Sequence, residues 1–409
     1  MEPWLVWVLL GAWGFICAIW VRILVGQLLG ERLDLFLRTV PGNAGAGQGP
    51  SPLVRAIVPV RNAGREVLGC LDSLVSQDSP GLRITVVDDR SDDGTPAYLK
   101  QLAQNTDRLE ILRIDDLPAG WLAKAHALWT GARCASEEWL LFLDDDCLLE
   151  SGAVRAAIGY ATRHGVDLLS LWPRHRAGGF WEHTIIPLCG AILALWFGSR
   201  RIRQADRAPA FANGQFILIR REAYMRMGGH AAVRDALIED VPLAEHAQSH
   251  GLTCRTVGGA DLVSVRMYRS YAGIRDGWAR IYMGALRSGR KILLSVAWLA
   301  AGSLPPFVVG PVLLAVAAQD GESLVSDWGL LQGILALCVS HLLLIGAVSY
   351  RFWGYCRCAR VYLLLYPISA LLVLGILARA WWHLEVRRTV TWRNTTYAID
   401  RRARILTRG

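Results

Sequence analysis

A mostly parallel α/β domain set between membrane-spanning segments is the architecture this sequence predicts. Three observations carry that reading. Short apolar runs alternate with helical patterns through the middle of the chain, the rhythm of a parallel sheet covered by helices. Long apolar blocks lie towards both ends of the 409 residues, 53% of which are hydrophobic, enough for one large domain and a membrane part. Two of the apolar runs end abruptly in carboxylates, Asp88-Asp89 and Asp144-Asp145-Asp146. Open α/β sheets gather their ligands at such strand ends.

Trp4 to Val21 is almost wholly apolar and close to the minimum for a span. It has no basic leader and no small-x-small cleavage pattern, so residues 1–28 read as an uncleaved anchor. Arg22, Arg32 and Arg38 follow it and place that end in the cytoplasm. Residues 29–52, with the run Pro41 to Pro50, read as a flexible linker. The G-x-G spacing there precedes a strand instead of following one, so it fails the dinucleotide test.

The domain spans residues 53–290. Val54 to Val60 is strand-like, and Arg61-Asn62-Ala63-Gly64 turns into a helix with Val67, Leu68, Leu71 and Leu74 on one face. Leu82 to Val87 is a second strand, ending in the acidic turn Asp88 to Thr95, and a helix follows over Pro96 to Gln104. Leu109 to Ile114 is a third strand and Lys124 to Arg133 a helix. Trp139 to Leu143 is then the central strand, buried on both faces because nothing polar interrupts it. Gly152 to His164 reads as helix, Asp167 to Trp172 as strand, Gly214 to Ile219 as strand, Ala236 to Ser249 as helix, and Thr253 to Val257 as a late strand. Thr184 to Gly198 is apolar but short, and Arg200, Arg201 and Arg203 follow it. A helix in the membrane interface and a buried core helix fit equally well.

Residues 291–383 hold three apolar blocks, Ile292 to Ala318, Trp328 to Tyr350 and Val361 to Trp382. The loop with Asp320, Glu322 and Asp327 reads as outside, and the loop with Arg351, Arg357 and Arg360 as cytoplasmic. Three full crossings would leave the basic tail, residues 384–409, outside. The charge pattern favours a re-entrant block around Pro367 instead. The net charge of +9 is mostly arginine beside apolar segments, which suits anionic lipid headgroups. No basic stripe with interleaved aromatics speaks for nucleic acid. The nine cysteines give no zinc spacing and fit a reducing compartment.

Asp144 and Asp146 point to the same side of an extended segment and could share a divalent ion, which would relieve the repulsion of three adjacent acids. The plain alternative is a solvated turn. His246 and His250 lack the zinc-protease pattern and read as a helix face.

Four motifs stand in a telling order: Val58-Pro59-Val60-Arg61-Asn62, then Val87 to Thr95, then Asp144-Asp145-Asp146, then Glu239-Asp240. Leu117-Pro118-Ala119-Gly120-Trp121-Leu122-Ala123-Lys124 is similar to a P-x-G-W-x-G-K segment. On these the chain resembles membrane-bound glycosyltransferases of family 2, notably those that glycosylate ceramide, hopanoids and carotenoids. The resemblance implies the GT-A fold, a Rossmann-like α/β domain, here on the cytoplasmic side of a multi-pass cell-membrane protein. It implies a nucleotide diphosphate sugar as donor, with uridine favoured, contacted by Pro59, Asn62, Asp88, Asp89, Lys124 and Asp145. It implies magnesium or manganese on Asp144 and Asp146. Asp240 would be the general base of an inverting transfer, with Glu239 orienting a neighbour.

Asn213-Gly214-Gln215 and Gly228-Gly229-His230 resemble the family's acceptor-side segment. Ile274 and Gly277 occupy the polar positions of the Q/R-x-x-R-W pattern before Trp278, which weakens a polysaccharide synthase. Thr391 to Tyr397 looks like the W-x-G-R-x-Y ending of lipid-modifying members. The expected acceptor is therefore a membrane lipid. A polysaccharide synthase and a non-catalytic scaffold on the same fold are the rivals.

Overall fold

The run Trp139–Leu143 is a strand because it can be paired on both edges and covered on both faces. It is buried along its whole length, and strands lie on either side of it. The computed structural model describes residues 3–31, 37, 53–198, 210–319, 328–392 and 395–408. The chain begins with α1 (Pro3–Glu31), β1 (Val54–Val60), α2 (Val67–Val75), β2 (Leu82–Asp89), α3 (Thr95–Ala103), β3 (Leu109–Ile114), α4 (Ala123–Cys134) and β4 (Trp139–Leu143). It continues with β5 (Cys147–Leu149), α5 (Ala153–Arg163), β6 (Leu168–Trp172), β7 (Arg174–His175), α6 (Phe180–Phe197), β8 (Phe216–Arg220), α7 (Arg221–Arg226) and α8 (Asp240–Ser249). Then come β9 (Cys254–Gly258), β10 (Val263–Val265), α9 (Tyr271–Leu286), α10 (Gly289–Ser303), α11 (Pro305–Gln319), α12 (Trp328–Tyr355) and α13 (Tyr366–Trp381). The chain closes with β11 (Thr389–Trp392), β12 (Thr395–Ile399) and β13 (Ile405–Arg408).

The main sheet has the order β3-β2-β1-β4-β8-β6-β9. All neighbours are parallel except β8, which runs against β4 and β6. This is the expected GT-A-type α/β domain. Register sets Val60 beside Asp88 and Asp89 beside Ile114. Because β4 is parallel to β1, the carboxyl ends of β1, β2 and β4 open on one side and bring both acidic turns there. Helix α4 lies close on that sheet. A Cβ on Gly131 would come within 2.6 Å of Ile57 Cγ2, so only glycine permits the approach. A smaller sheet, β5-β10-β7, flanks the opening.

Among the described residues five stretches are long and apolar enough to cross a membrane: Val6–Leu29, Phe180–Phe197, Gly289–Ala315, Gly329–Tyr355 and Arg360–Arg387. The block Ile292 to Ala318 is two helices, broken at Pro305-Pro306. Pro306 has no N–H to give the Gly302 carbonyl four residues back. Trp20 Nε1 donates to that oxygen at 2.6 Å instead, and His341 Nε2 lies 3.0 Å from it. Trp13 Nε1 donates to His341 Nδ1 at 2.9 Å. Helix α1 is therefore built into the membrane part by hydrogen bonds as well as by apolar packing.

Helix α6 is longer at its start than the apolar run suggested. One face is buried against α9 and α13, while Phe180, Trp181 and Leu195 remain exposed. Core helix and interfacial helix are thus two faces of one element. The block around Pro367 begins and ends against the α/β domain. Arg357 pairs with Asp261 at 2.8 Å at one end. At the other, Arg379 pairs with Asp276 at 3.0 Å, and Leu237 N donates to Ala403 O at 3.1 Å.

Residues 384–409, read from sequence as a basic tail, carry an antiparallel sheet, β11-β12-β13. Tyr397, Ile399 and Ala403 face inward and are buried. The linker falls mostly outside the described residues: 29–31 continue α1, and Leu37 N donates to Gly258 O at 2.7 Å. Arg200, Arg201, Arg203 and the loop with Asp320, Glu322 and Asp327 also lie outside them.

Candidate functional site

One cavity of about 390 Å³ opens at the carboxyl ends of β1, β2 and β4. Of the residues singled out in sequence, Pro59, Asp89, Lys124, Asp144, Asp145, Asp146, Glu239 and Asp240 line it. Asn62 and Asp88 do not, and the reason is local. Asp88 is 2% exposed and spends both oxygens inside the fold. Its Oδ1 accepts from Ser91 N at 3.1 Å and its Oδ2 from Arg113 at 2.8 Å. Asn62 is tied to the neighbouring turn, donating to Asp92 Oδ1 at 2.7 Å and accepting from Asp92 N at 3.0 Å. These two residues shape the donor-side loops from behind. Asp89 stands at the edge, with Arg90 Nε on its Oδ1 at 2.8 Å and Arg61 3.7 Å from its Oδ2.

The second acidic turn is held differently. Lys124 comes from the start of α4 and bridges two segments, 2.7 Å from Asp144 Oδ1 and 2.7 Å from Glu239 Oε1. The ammonium lies deep in the cavity, yet Lys124 and Asp144 keep 23% and 25% of their side-chain surface open to it. Burial pulls the Lys124 pKa down, but Asp144 and Glu239 more than offset this and hold the amine charged. Burial pushes Glu239 up, and Lys124 reverses that, so Glu239 stays ionised. Asp146 has no such partner. Burial, then the charges of Asp144 and Asp145, raise its pKa to about 7.

Asp240 opens α8. Its Oδ2 accepts from Gly214 N at 2.8 Å and its Oδ1 from Val241 N at 2.7 Å. A Cβ on Gly214 would lie 3.2 Å from both Asp240 Oδ2 and Lys124 Nζ, so a side chain there would crowd the acids. Burial, followed by the charge of Glu239, raises the Asp240 pKa to about 7. A carboxylate so placed is an effective proton acceptor near neutrality. His230, behind this pair, is buried and held neutral, its pKa lowered to about 4 by burial. Its Nδ1 lies 2.8 Å from the Tyr224 hydroxyl.

The donor set also decides which ion would fit. Among the described residues no group of three His, Cys, Asp or Glu side chains forms a metal cage. Two hard carboxylates on one turn suit magnesium or manganese, which leave coordination positions to substrate phosphates. Asp144 and Asp146 are the residues that would hold such an ion.

The remaining walls come from segments outside the four motifs. Leu193 of α6 and Trp278, Ile281 and Ala285 of α9 give the cavity an apolar side that continues towards the membrane helices. Trp172 and Phe211 also line it, stacked at 5.5 Å. Arg280 lines the cavity; burial raises the pKa of Asp144, and the charges of Lys124 and then Arg280 offset part of that. Thr395 and Tyr397 complete it from the far end of the chain. Their only signal was position in the Thr391 to Tyr397 stretch.

Residues 56–228 match the family model described as Glycosyl transferase family 2. A 4,4'-diaponeurosporenoate glycosyltransferase of Staphylococcus haemolyticus is 24% identical over 258 residues, 62% of this chain and 68% of that one. A beta-monoglucosyldiacylglycerol synthase of Trichormus variabilis is 25% identical over 186 residues, 44% of this chain and 38% of that protein. A solved structure titled as a mannosyltransferase from Pyrobaculum calidifontis, in complex with GDP-Man and Mn2+, aligns with a TM-score of 0.48 and 18% identity. It covers 90% of this chain and 99% of that one.

Proposed function

This chain is a glycosyltransferase of family 2, and from that premise we propose that it moves a sugar from a nucleotide diphosphate sugar to a membrane lipid. One observation carries the reading. A single cavity joins the acids at the strand ends to an apolar wall from α6 and α9. Such a wall receives an acceptor whose hydroxyl is polar and whose body is not. The two sequence relatives named above act, by their names, on a diaponeurosporenoate and produce a glucosyldiacylglycerol, which supports a lipid acceptor.

Asp144 and Asp146 would hold a divalent ion, magnesium or manganese, which would supply positive charge to the departing diphosphate. Asp89 and Pro59 contact the nucleoside, and Asp145 the donor beside the ion. Lys124 keeps Glu239 ionised, and that charge keeps the proton affinity of Asp240 high. The backbone amides of Gly214 and Val241 fix the direction of the Asp240 oxygens. Asp240 takes the proton from the acceptor hydroxyl as that oxygen attacks the anomeric carbon. Attack from the side opposite the leaving diphosphate inverts the centre, and no enzyme nucleophile is needed.

In this reading α1, the α10–α11 pair and α12 cross the cell membrane, with the α/β domain in the cytoplasm. The block from Arg360 to Arg387 does not cross but stays on the side of the domain, since the chain bonds to the domain just before it and near its end. That puts the arginine-rich end on the cytoplasmic side, as the positive-inside rule asks.

The test is transfer by purified protein in lipid, with uridine and guanosine diphosphate sugars and either ion. Label from the donor should appear in an extractable lipid with inverted anomeric configuration. Label in a polymer, or only in soluble products, would overturn the lipid reading.

A further inference from the structure

The block from Arg360 to Arg387 has two apolar faces with different fates. Inward, Val373, Ile376, Leu377 and Ala380 are buried in the cluster that also holds residues of α6, α9 and α10. Outward, Val361, Leu364, Ile368, Leu371, Trp382 and Val386 stay between 48% and 82% exposed. Successive members of this outer set are three, four or eleven residues apart, close to whole turns of a helix, so they share one side of the block. A stripe of that length left apolar asks for an apolar partner. The domain already covers the other side, so the stripe faces the lipid layer, with Trp382 at its end as an interfacial anchor.

The stripe stops at a second hollow. It holds about 550 Å³ and is lined by Arg388, Arg401, Arg402 and Arg404, with Asp400, Ile399 and Leu406. Arg388 stands two residues past Val386, and Leu406, 64% exposed, brings an apolar side chain to the same rim. The charges there do not cancel. Arg401 reaches Glu385 at 3.5 Å and Arg404 reaches Asp235 at 3.6 Å. Asp400 spends its Oδ1 on the amides of Arg402 and Arg404, both at 2.8 Å. Arg388 and Arg402 meet no carboxylate among the described residues. Four guanidiniums against these three acids leave a positive balance, and exposed Arg387 at the end of the block adds to it.

A guanidinium takes phosphate oxygens in pairs. A free phosphate would need no apolar neighbours. A phosphate that carries acyl chains would set its charge in the hollow and its chains along the stripe. We propose that this hollow binds the headgroup phosphate of an anionic membrane lipid, with Arg388 and Arg402 as its main contacts. The site is separate from the cavity at the strand ends and joined to it only through the pair Arg404–Asp235, just before the Glu239-Asp240 segment. It rests on the membrane reading above and is independent of the sugar and its acceptor.

The experiment offers the purified full chain equal amounts of phosphatidylglycerol and phosphatidylcholine in mild detergent and counts the lipids retained by native mass spectrometry. Wild type should retain phosphatidylglycerol in preference. Arg388→Gln and Arg402→Gln should each weaken phosphatidylglycerol by about fivefold, the usual effect of one basic residue at an anionic surface, and leave phosphatidylcholine unchanged. Both side chains are exposed, so each variant should elute from gel filtration as wild type does. A preference that survives in the double variant would place the acidic lipid elsewhere and overturn the proposal. Displacement of phosphatidylglycerol by inorganic phosphate would make the hollow a site for a soluble anion and overturn it too.

Flotation of wild type with phosphatidylcholine vesicles separates this proposal from the reading beneath it. A wild type that fails to float defeats the membrane reading, and this one falls with it. A wild type that floats but retains the two lipids alike defeats only this one.

Discussion

Two acidic turns end neighbouring strands of one sheet, and they are held in opposite ways. The turn after β2 is compensated. Asp88 receives Arg113 and a backbone amide, and Asp89 receives Arg90 and Arg61. The turn after β4 is held by Lys124, shared between Asp144 and Glu239, with the charge of Arg280 also reaching Asp144, yet Asp146 and Asp240 keep pKa values near 7. Acid count therefore does not distinguish the turns; the supply of counter-charge does. Where arginines close the account, the carboxylates build structure. Around Asp146 and Asp240 burial and neighbouring negative charge win over the counter-charge and raise the carboxyl pKa values.

The largest effect that could break this comparison lies on the uncompensated side. Asp240→Asn keeps the shape but removes the proton acceptor, and kcat should fall by about 10²–10⁴-fold, the usual range for general acid–base catalysis. Donor KM should move little, and a kcat within a few fold of wild type would place the base elsewhere. The same residue gives a pH signature. A pKa near 7 means the base is lost as pH falls below about 7, so the rate falls with it. Stability runs the other way. The folded-state pKa is raised above the unfolded 3.8, so the folded form holds the proton more tightly and stability falls as pH rises through about 7. Thermal midpoints in metal-free buffer should be higher at about pH 5.5 than at about pH 7.5, with a smaller difference in Asp240→Asn.

Next in size is Asp146→Asn. Losing one of two ion-binding carboxylates should raise the magnesium or manganese concentration for half-maximal activity by about 10–100-fold, as when a metal's close surroundings are disturbed. An unchanged metal titration would remove the distinction drawn between the turns. The smallest effect is on the compensated side. Asp88→Ala leaves the buried Ser91 amide without its acceptor, while Arg113 keeps Ser91 O and Asp115, and should cost about 1–3 kcal/mol of stability in denaturant titrations. Its metal titration should match wild type. A shift there would mean that the first turn also serves the ion.

The parts of this fold that sequence revealed are those with one-residue causes. Strand β4 is covered on both faces and appears as an unbroken apolar run, β1 and β2 are interrupted only near their starts, by Arg55 and by Arg83 and Thr85, and the acids close β2 or directly follow β4. Two of the motif residues, Asn62 and Asp88, proved to be braced behind the cavity, because a motif states neighbourhood in sequence and not which way a side chain is spent. The reversed direction of β8 leaves no mark on an apolar run. Strands β5, β7 and β10 are two or three residues long, too short for any period to register. Lys124 was expected at the donor and lines the cavity, and its bonds to Asp144 and Glu239 depend on three segments meeting, which no local pattern encodes. The closing sheet was read as a basic tail because its arginines dominate the composition while Tyr397, Ile399 and Ala403 do the packing.

That closing sheet also sets an order of events during synthesis. Strands β1, β2 and β4 emerge early, and the acids they carry can gather as soon as the α/β domain folds. The bonds from Leu237 to Ala403 and from Asp235 to Ile405 wait for the apolar helices between them to be made and packed. Such long-range closures are slow to form, since the intervening chain must first lose its freedom. A nascent chain with one of those helices misplaced would thus carry its acids and lack the wall above them. Packing of the helices and completion of the cavity become one event.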